Sequence, residues 1–197
     1  MDLLLIRHAQ PFHLSDPAGA DPSLTPEGEG QAKRLARALA DGRYGKVQRL
    51  VSSPMRRAAQ TAAFAAASLS LDTVVDDRLA ELDRGWTTYG LDLDSYTERK
   101  LLWQDMNAGR LGVNEFDVAA FRSRVLAGID ASVDHVGGST TAVVCHGGVI
   151  NAVLSHIVGA AQMFFTEPFY TSVSRVRVEP DGYREMLSLN ETHHLWD

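Results

Sequence analysis

The sequence predicts an α/β fold: a three-layer α/β/α sandwich with a mostly parallel central sheet, helices on both faces, a C-terminal hairpin and a short insertion near 83–114. Three observations carry this reading. Short apolar runs alternate with longer helical patterns along most of the chain. The run Leu3, Leu4, Leu5, Ile6 is continuously apolar, as a strand covered on both faces must be. Near the end, two strand-like segments flank Glu179-Pro180-Asp181-Gly182, a turn sequence that predicts a β-hairpin.

The elements follow in order. After the strand at 3–6, Pro11, Pro17, Gly19 and Pro22 mark a loop up to Leu24. Thr25 and Pro26 read as N-cap and first position of a helix through about residue 40, with Gly42 as its stop. A strand is predicted at 49–52, then an alanine-rich helix opening at Pro54, then a strand at 73–75. From Glu81 to about Gly112 the pattern turns polar, aromatic and irregular, with Trp86, Tyr89, Tyr96 and Trp103, and is expected to leave the sheet. Residues 115–135 read as a helix, because Phe116, Ala120, Phe121, Val125 and Ile129 recur at near-helical spacing. A strand at 141–145 and a helix at 148–158 precede the hairpin strands at 173–178 and 183–189. No repeat or linker interrupts the chain, so one domain over 1–197 is expected.

Composition excludes several function classes. With a formal net charge of −6, the chain lacks the broad basic surface that a nucleic-acid or acidic-membrane binder needs. A local pocket of arginines on an acidic protein remains compatible with a small anionic substrate. Cys145 is the single cysteine, which rules out an internal disulfide framework and fits a reducing, cytoplasmic setting. No apolar run reaches the length of a membrane span.

Three polar constellations fall at equivalent places. Arg7 and His8 follow the first strand, Arg56 and Arg57 follow the 49–52 strand, and His146 and Gly147 follow the 141–145 strand. In open α/β sheets, ligands collect at the carboxyl ends of strands. Two imidazoles and at least two guanidiniums converging there point to phosphate, which guanidinium forks match bidentately. Helix N-termini beginning near Pro54 and Gly147 add backbone donors. The sequence shows no Walker-type loop and no aspartate cluster for magnesium, so arginine and histidine would have to neutralise a phosphoryl transition state. No metal and no cofactor is expected.

The segment Leu4-Leu5-Ile6-Arg7-His8-Ala9-Gln10 resembles the signature of the histidine phosphatase superfamily, also called the phosphoglycerate mutase-like family. Further segments resemble it in the expected order: Asp21 to Ala32, Ser52-Ser53-Pro54-Met55-Arg56-Arg57-Ala58, Leu79-Ala80-Glu81-Leu82-Asp83, and Val144-Cys145-His146-Gly147-Gly148. The ending with Asn190, Thr192, His194 and Leu195 is similar to common family C-termini. The resemblance implies that His8 attacks phosphorus and becomes a phosphohistidine. It implies that Arg7, Arg57 and His146 hold the phosphoryl oxygens, with Gln10 and Gly147 as further phosphate contacts. Glu81 would protonate the departing alkoxide and then assist water, as one carboxyl can in both half-reactions. Nearby arginines should favour the neutral form of His8, and Glu81 needs a raised pKa to act as acid.

The implied activity is a phosphomonoester hydrolase on a small phosphorylated metabolite, with a phosphoglycerate-type mutase as the alternative and a catalytically inactive phospho-ligand binder as a third. The short excursion after Glu81 favours hydrolysis, since mutases of this family generally carry longer insertions. Three departures bear on specificity. Ala9 stands where glycine is usual, Pro11 where a hydroxyl residue is common, and Trp86-Thr87-Thr88-Tyr89-Gly90 where tryptophan–glutamate–glycine is usual. Ordinary roles are expected for the rest: Arg56 as a surface cation, Cys145 as a buried strand residue, and His13, His135, His156 and His193 as surface or structural. The insertion aromatics either line a substrate mouth or pack the insertion itself. The alanine-rich helix and the terminal hairpin could support a homodimer.

Overall fold

The computed structural model describes residues 1–90, 96–133 and 139–196. Its elements run β1 (Asp2–Arg7), β2 (Leu14–Ser15), α1 (Pro26–Ala40), β3 (Arg49–Ser52), α2 (Arg56–Leu69), β4 (Thr73–Val75), β5 (Thr88–Tyr89) and α3 (Arg99–Asn107). They continue with β6 (Arg110–Leu111), β7 (Asn114–Glu115), α4 (Val118–Ser132), β8 (Thr140–Cys145), α5 (Gly147–Val158), β9 (Val173–Val178) and β10 (Arg184–Glu191).

Strand β1 shows why the chain builds three layers. Successive strand side chains point to opposite faces, so an unbroken apolar run needs cover on both sides. Leu3 and Leu5 pack into one core with Val125, Ile129, Val149 and Val153 of α4 and α5. Leu4 and Ile6 pack into another with Leu35, Leu39, Ala58 and Ala62 of α1 and α2. The alanines of α2 suit this second core because small side chains let a helix lie close to the sheet and to α1.

The six-stranded sheet has the order β10-β9-β1-β8-β3-β4. Strands β1, β8, β3 and β4 are parallel, and β9 runs antiparallel to both its neighbours, closing the hairpin with β10. The expected α/β architecture with its mostly parallel sheet and terminal hairpin is therefore present. Arg7 pairs with Cys145, and Ser52 with Val144, so β1, β8 and β3 end side by side at nearly the same level. Whatever follows those three strands must meet at one crevice.

Several boundaries differ from the sequence reading. The alanine-rich helix opens at Arg56 rather than Pro54, and both carboxylate oxygens of distant Asp21 receive the Arg56 N–H at 3.0 Å. Helix α4 opens at Val118 rather than residue 115, because the Asp117 side chain caps the Ala120 N–H at 2.9 Å while Glu115 joins the small β6–β7 ribbon. The irregular insertion contains a helix, α3, that its polar sequence concealed. Residues 91–95 of that insertion, the end of the expected 115–135 helix and His135 lie outside the described residues. Among the described residues no helix is long and apolar enough to cross a membrane.

Candidate active site

The crevice at the ends of β1, β8 and β3 opens into a cavity of about 160 Å³. His8 leaves β1 with its N–H donated to the Cys145 carbonyl at 2.9 Å, which ties it to the end of β8. Its ring Nδ1 lies 2.8 Å from the Ala9 carbonyl oxygen. A carbonyl can only accept, so Nδ1 carries the proton and Nε2 holds a lone pair. Burial, then the charges of Arg57 and Arg7, hold the His8 pKa well below 6.5, so the ring stays neutral. Ala9 takes no positive φ and is buried against Leu24 and Ala32, so alanine in place of glycine is packed without strain.

His146 caps the start of α5 with its ring centroid 5.1 Å from that of His8. Its Nε2 lies 2.7 Å from the Ser53 hydroxyl, which also accepts the Met55 N–H. The Ser53 proton is thus available to Nε2, an assignment that places the His146 proton on Nδ1. Burial first, then Arg57 and His8, holds its pKa well below 6.5.

Arg57, in the first turn of α2, is completely buried. One nitrogen, Nη2, donates to both oxygens of Asp83, at 2.8 and 3.1 Å. Burial opposes the Arg57 charge, but Asp83, with Tyr89 and Glu81, outweighs it and holds its pKa above the ordinary guanidinium value. Arg7 donates to the Pro168 carbonyl at 2.6 Å and stacks its guanidinium 4.2 Å from the Tyr170 ring centre. Tyr89 lies against Arg57 in the same way, at 4.4 Å. Among the described residues, none supplies a hydrogen-bond partner to Arg7 Nε, Arg57 Nε, Arg57 Nη1 or His146 Nδ1. Other buried atoms, including four arginine Nε groups, share this condition elsewhere among the described residues, and Arg57 Nη1 lies 3.8 Å from Asp21 Oδ1. It is the convergence of these donors of Arg7, Arg57 and His146 about His8 that suits an acceptor-rich anion.

Glu81 forms the opposite wall. Its carboxylate accepts the Leu82 N–H at 2.9 Å and the Gly148 N–H, at the start of α5, at 2.7 Å. Burial, then the Asp83 carboxylate, raises its pKa against these two donors. Gly148 has a steric reason to be glycine, since a Cβ there would lie 2.3 Å from Glu81 Oε1. At Gly147, which lines the cavity, a Cβ would meet nothing closer than 3.9 Å. Arg124 braces the Glu81 loop by donating to the carbonyls of Arg78 and Ala80, at 2.7 and 2.9 Å.

The structure thus brings Arg7, His8, Arg57, Glu81, His146 and Gly147 together. Gln10 is placed differently: its side-chain oxygen accepts the Thr25 hydroxyl at 2.9 Å, and it is not among the described residues of the cavity wall. Gln10 instead anchors the entry of α1, whose Gly28 lies so near that a Cβ would fall 2.0 Å from the Gln10 carbonyl oxygen. His13, expected at the surface, is exposed but stands at the cavity rim.

A family model described as histidine phosphatase superfamily, branch 1, matches residues 3–192. The chain belongs to this superfamily. It is 32% identical over 203 residues to the bifunctional protein Rv2228c of Mycobacterium tuberculosis, a match covering 98% of this chain and 54% of that protein. The chain therefore spans about half the length of that curated relative. It is 31% identical to the probable phosphoglycerate mutase GpmB of Cronobacter sakazakii, over 71% of this chain and 65% of the relative. The solved complex of mycobacterial glucosyl-3-phosphoglycerate phosphatase Rv2419c with inorganic phosphate superposes with a TM-score of 0.73 at 22% identity, over 98% of both chains. That last likeness is one of fold.

Within this histidine phosphatase fold, sequence reasoning missed the roles of four contributors. Asp83 was visible two residues after Glu81, and Ser53 lay inside the arginine motif, but neither had an assigned role until the folded chain paired them with Arg57 and His146. Tyr89 was singled out as an aromatic that either lines a substrate mouth or packs the insertion, and it lines the cavity. That it stacks on Arg57, and that Tyr170 stacks on Arg7, had no sequence signal, because a ring stacked on a cation is a tertiary contact between distant segments.

Proposed function

We propose that this superfamily member is a metal-independent phosphomonoester hydrolase working through a phosphohistidine at His8. The observation that carries the reading is a neutral imidazole with its Nε2 lone pair set among two guanidiniums that keep orphaned donors. The phosphoryl group would sit between Arg7, Arg57 and His146 Nδ1, near the N-terminus of α5 at Gly147. His8 Nε2 then attacks phosphorus as the bond to the leaving oxygen breaks, and protonated Glu81 gives its proton to that oxygen. In the second half-reaction water attacks the phosphohistidine, Glu81 takes a proton from it, and the P–N bond breaks to regenerate His8 and release phosphate. The raised pKa of Glu81 supports its part as acid, and the depressed pKa of His8 supports its part as nucleophile.

The test is hydrolysis of p-nitrophenyl phosphate in EDTA, with a denaturing alkaline quench of the phosphorus-labelled ester to trap the acid-labile phosphohistidine. Turnover and trapped label should both disappear in His8→Ala; activity persisting in that variant would sink the mechanism. The similarity to GpmB favours a second reading, a phosphoglycerate-type mutase, for which 3-phosphoglycerate would isomerise without releasing phosphate. We infer a cytoplasmic protein with one domain over 1–197, a reading supported by the one six-stranded sheet covered from both sides and by buried Cys145 as a free thiol. A homodimer through α2 and the terminal hairpin belongs to the same reading, and size-exclusion chromatography tests it.

A further inference from the structure

Beyond the phosphate floor, the cavity wall changes character. It is built from Trp86, Leu102, Trp103, Met106, Leu111 and Phe164. Three of these lie on one face of α3, a helix that fully buries none of its residues. An apolar helical face normally goes into a core. Here Trp103 and Met106 pack against the core of α4 and α5 on one side and, with Leu102, leave the rest of their half-buried surface on the cavity wall. The wall is also held in place. Asn107, at the end of α3, accepts the Phe164 N–H at 2.9 Å and donates to the Phe164 carbonyl at 2.8 Å. Asn151 of α5 does the same for the next residues, accepting the N–H groups of Phe165 and Thr166 and donating to the Thr166 carbonyl.

Charge on the wall points the same way. Among its described residues, the arginines and lysines are Arg7, Arg57 and Arg99. The first two belong to the phosphate floor. Arg99 stands at the mouth, ion-paired with Glu167 across the gap between α3 and the 164–168 segment. A leaving group carrying its own carboxylate would have to compete with Glu167 for that guanidinium and meet Glu167 as a like charge. An uncharged ring would meet neither cost and would remove apolar wall from water.

Resting on the phosphatase reading, we propose that the physiological leaving group is an uncharged alcohol bearing an aromatic ring, seated against Leu102, Trp103 and Met106, rather than a small sugar acid. The ring would lie between the α3 face and Trp86, over a base that includes buried Phe164, with its oxygen directed toward Glu81.

Three esters whose alcohols are of similar basicity test this: 2-naphthylmethyl phosphate, ethyl phosphate and 3-phosphoglycerate. Withdrawing about 100 Å² of ring from water corresponds to roughly 60-fold in affinity, so kcat/KM for the naphthylmethyl ester should exceed that of both others by about that factor. Trp103→Ala should shrink the naphthylmethyl-to-ethyl ratio about tenfold, and Met106→Gln, a gentler change that keeps the helix, should shrink it several-fold. Equal kcat/KM for the three esters, a preference for 3-phosphoglycerate, or a ratio unmoved in both variants would overturn the substrate class while leaving the phosphatase reading intact. Failure to hydrolyse any of the three, in a protein that also fails to label His8, would overturn the phosphatase reading itself.

Discussion

The floor and the rim of the cavity solve opposite problems. At the floor, Arg57 and Asp83 form an ion pair with side chains 0% and 8% exposed. At the rim, Arg99 and Glu167 form one with side chains 62% and 40% exposed. The floor pair is locked beneath strand ends that the sheet holds in register, whereas the rim pair joins a peripheral helix to a loop. The lesson is that the proposed phosphate site is held at the ends of the sheet strands, whereas the wall proposed to meet the leaving group is held by connections farther from the sheet.

The sharpest way to break this comparison is to cut each pair. Asp83→Ala leaves a buried guanidinium uncompensated and should cost about 3–5 kcal/mol in urea unfolding, with activity falling as well. Glu167→Gln should cost no more than about 1 kcal/mol, because water already screens that pair. Similar losses in the two variants would show that the floor and rim are not energetically distinct.

Next in size are the adjacent glycines of α5. Gly148→Ala puts a methyl into the Glu81 carboxylate and should reduce kcat on alkyl phosphates about 10²-fold, while p-nitrophenyl phosphate, which needs less help leaving, should lose less. Gly147→Ala should stay within a few-fold of the parent. Equal losses would mean that Glu81 is not the acid held by Gly148.

The pH dependence separates the same groups. His8 titrates well below 6.5 and Glu81 above 4.5. kcat/KM should therefore be bell-shaped, falling on the acid side as His8 protonates and on the alkaline side as Glu81 ionises, and Glu81→Gln should remove the alkaline limb. Stability carries its own sign. His8 and His146 have folded values below 6.5, so the unfolded chain takes up protons first as pH falls. Their contribution is present above about pH 6.5 and is lost on acidification. Glu81 and Asp83, whose pKa values are raised, act with the opposite sign, so the check is the difference between parent and His8→Gln. An equal pH slope of stability from 6.5 to 5 in the two would contradict the buried, neutral assignment.

The smallest expected effect is at the entry of α1. Thr25→Ala removes the hydroxyl that accepts the Gly28 N–H and holds Gln10, and should cost about 1 kcal/mol by thermal denaturation.

How much of this was readable beforehand follows from the range of each interaction. The strand at Leu3–Ile6 and the cap at Thr25 were legible because strand periodicity and N-capping are local. Helix α2 opens two residues later than its Pro54 suggests because its cap comes from Asp21, far away in sequence. Helix α3 was hidden because its apolar face is short and turned partly to a cavity, leaving too weak a periodic signal.

By itself, the sequence determined the layered fold and the arginines and histidines at strand ends, since both are written in short contiguous patterns. Only the tertiary structure decided which nitrogen of His8 is unprotonated, that a side chain at Gly148 would displace the Glu81 carboxylate, that Gln10 turns to Thr25, and that Asp83 holds Arg57. Each of these depends on hydrogen bonds or contacts of a few ångströms between different segments. Parallel strands in register bring such segments together, and no local pattern in the chain encodes them.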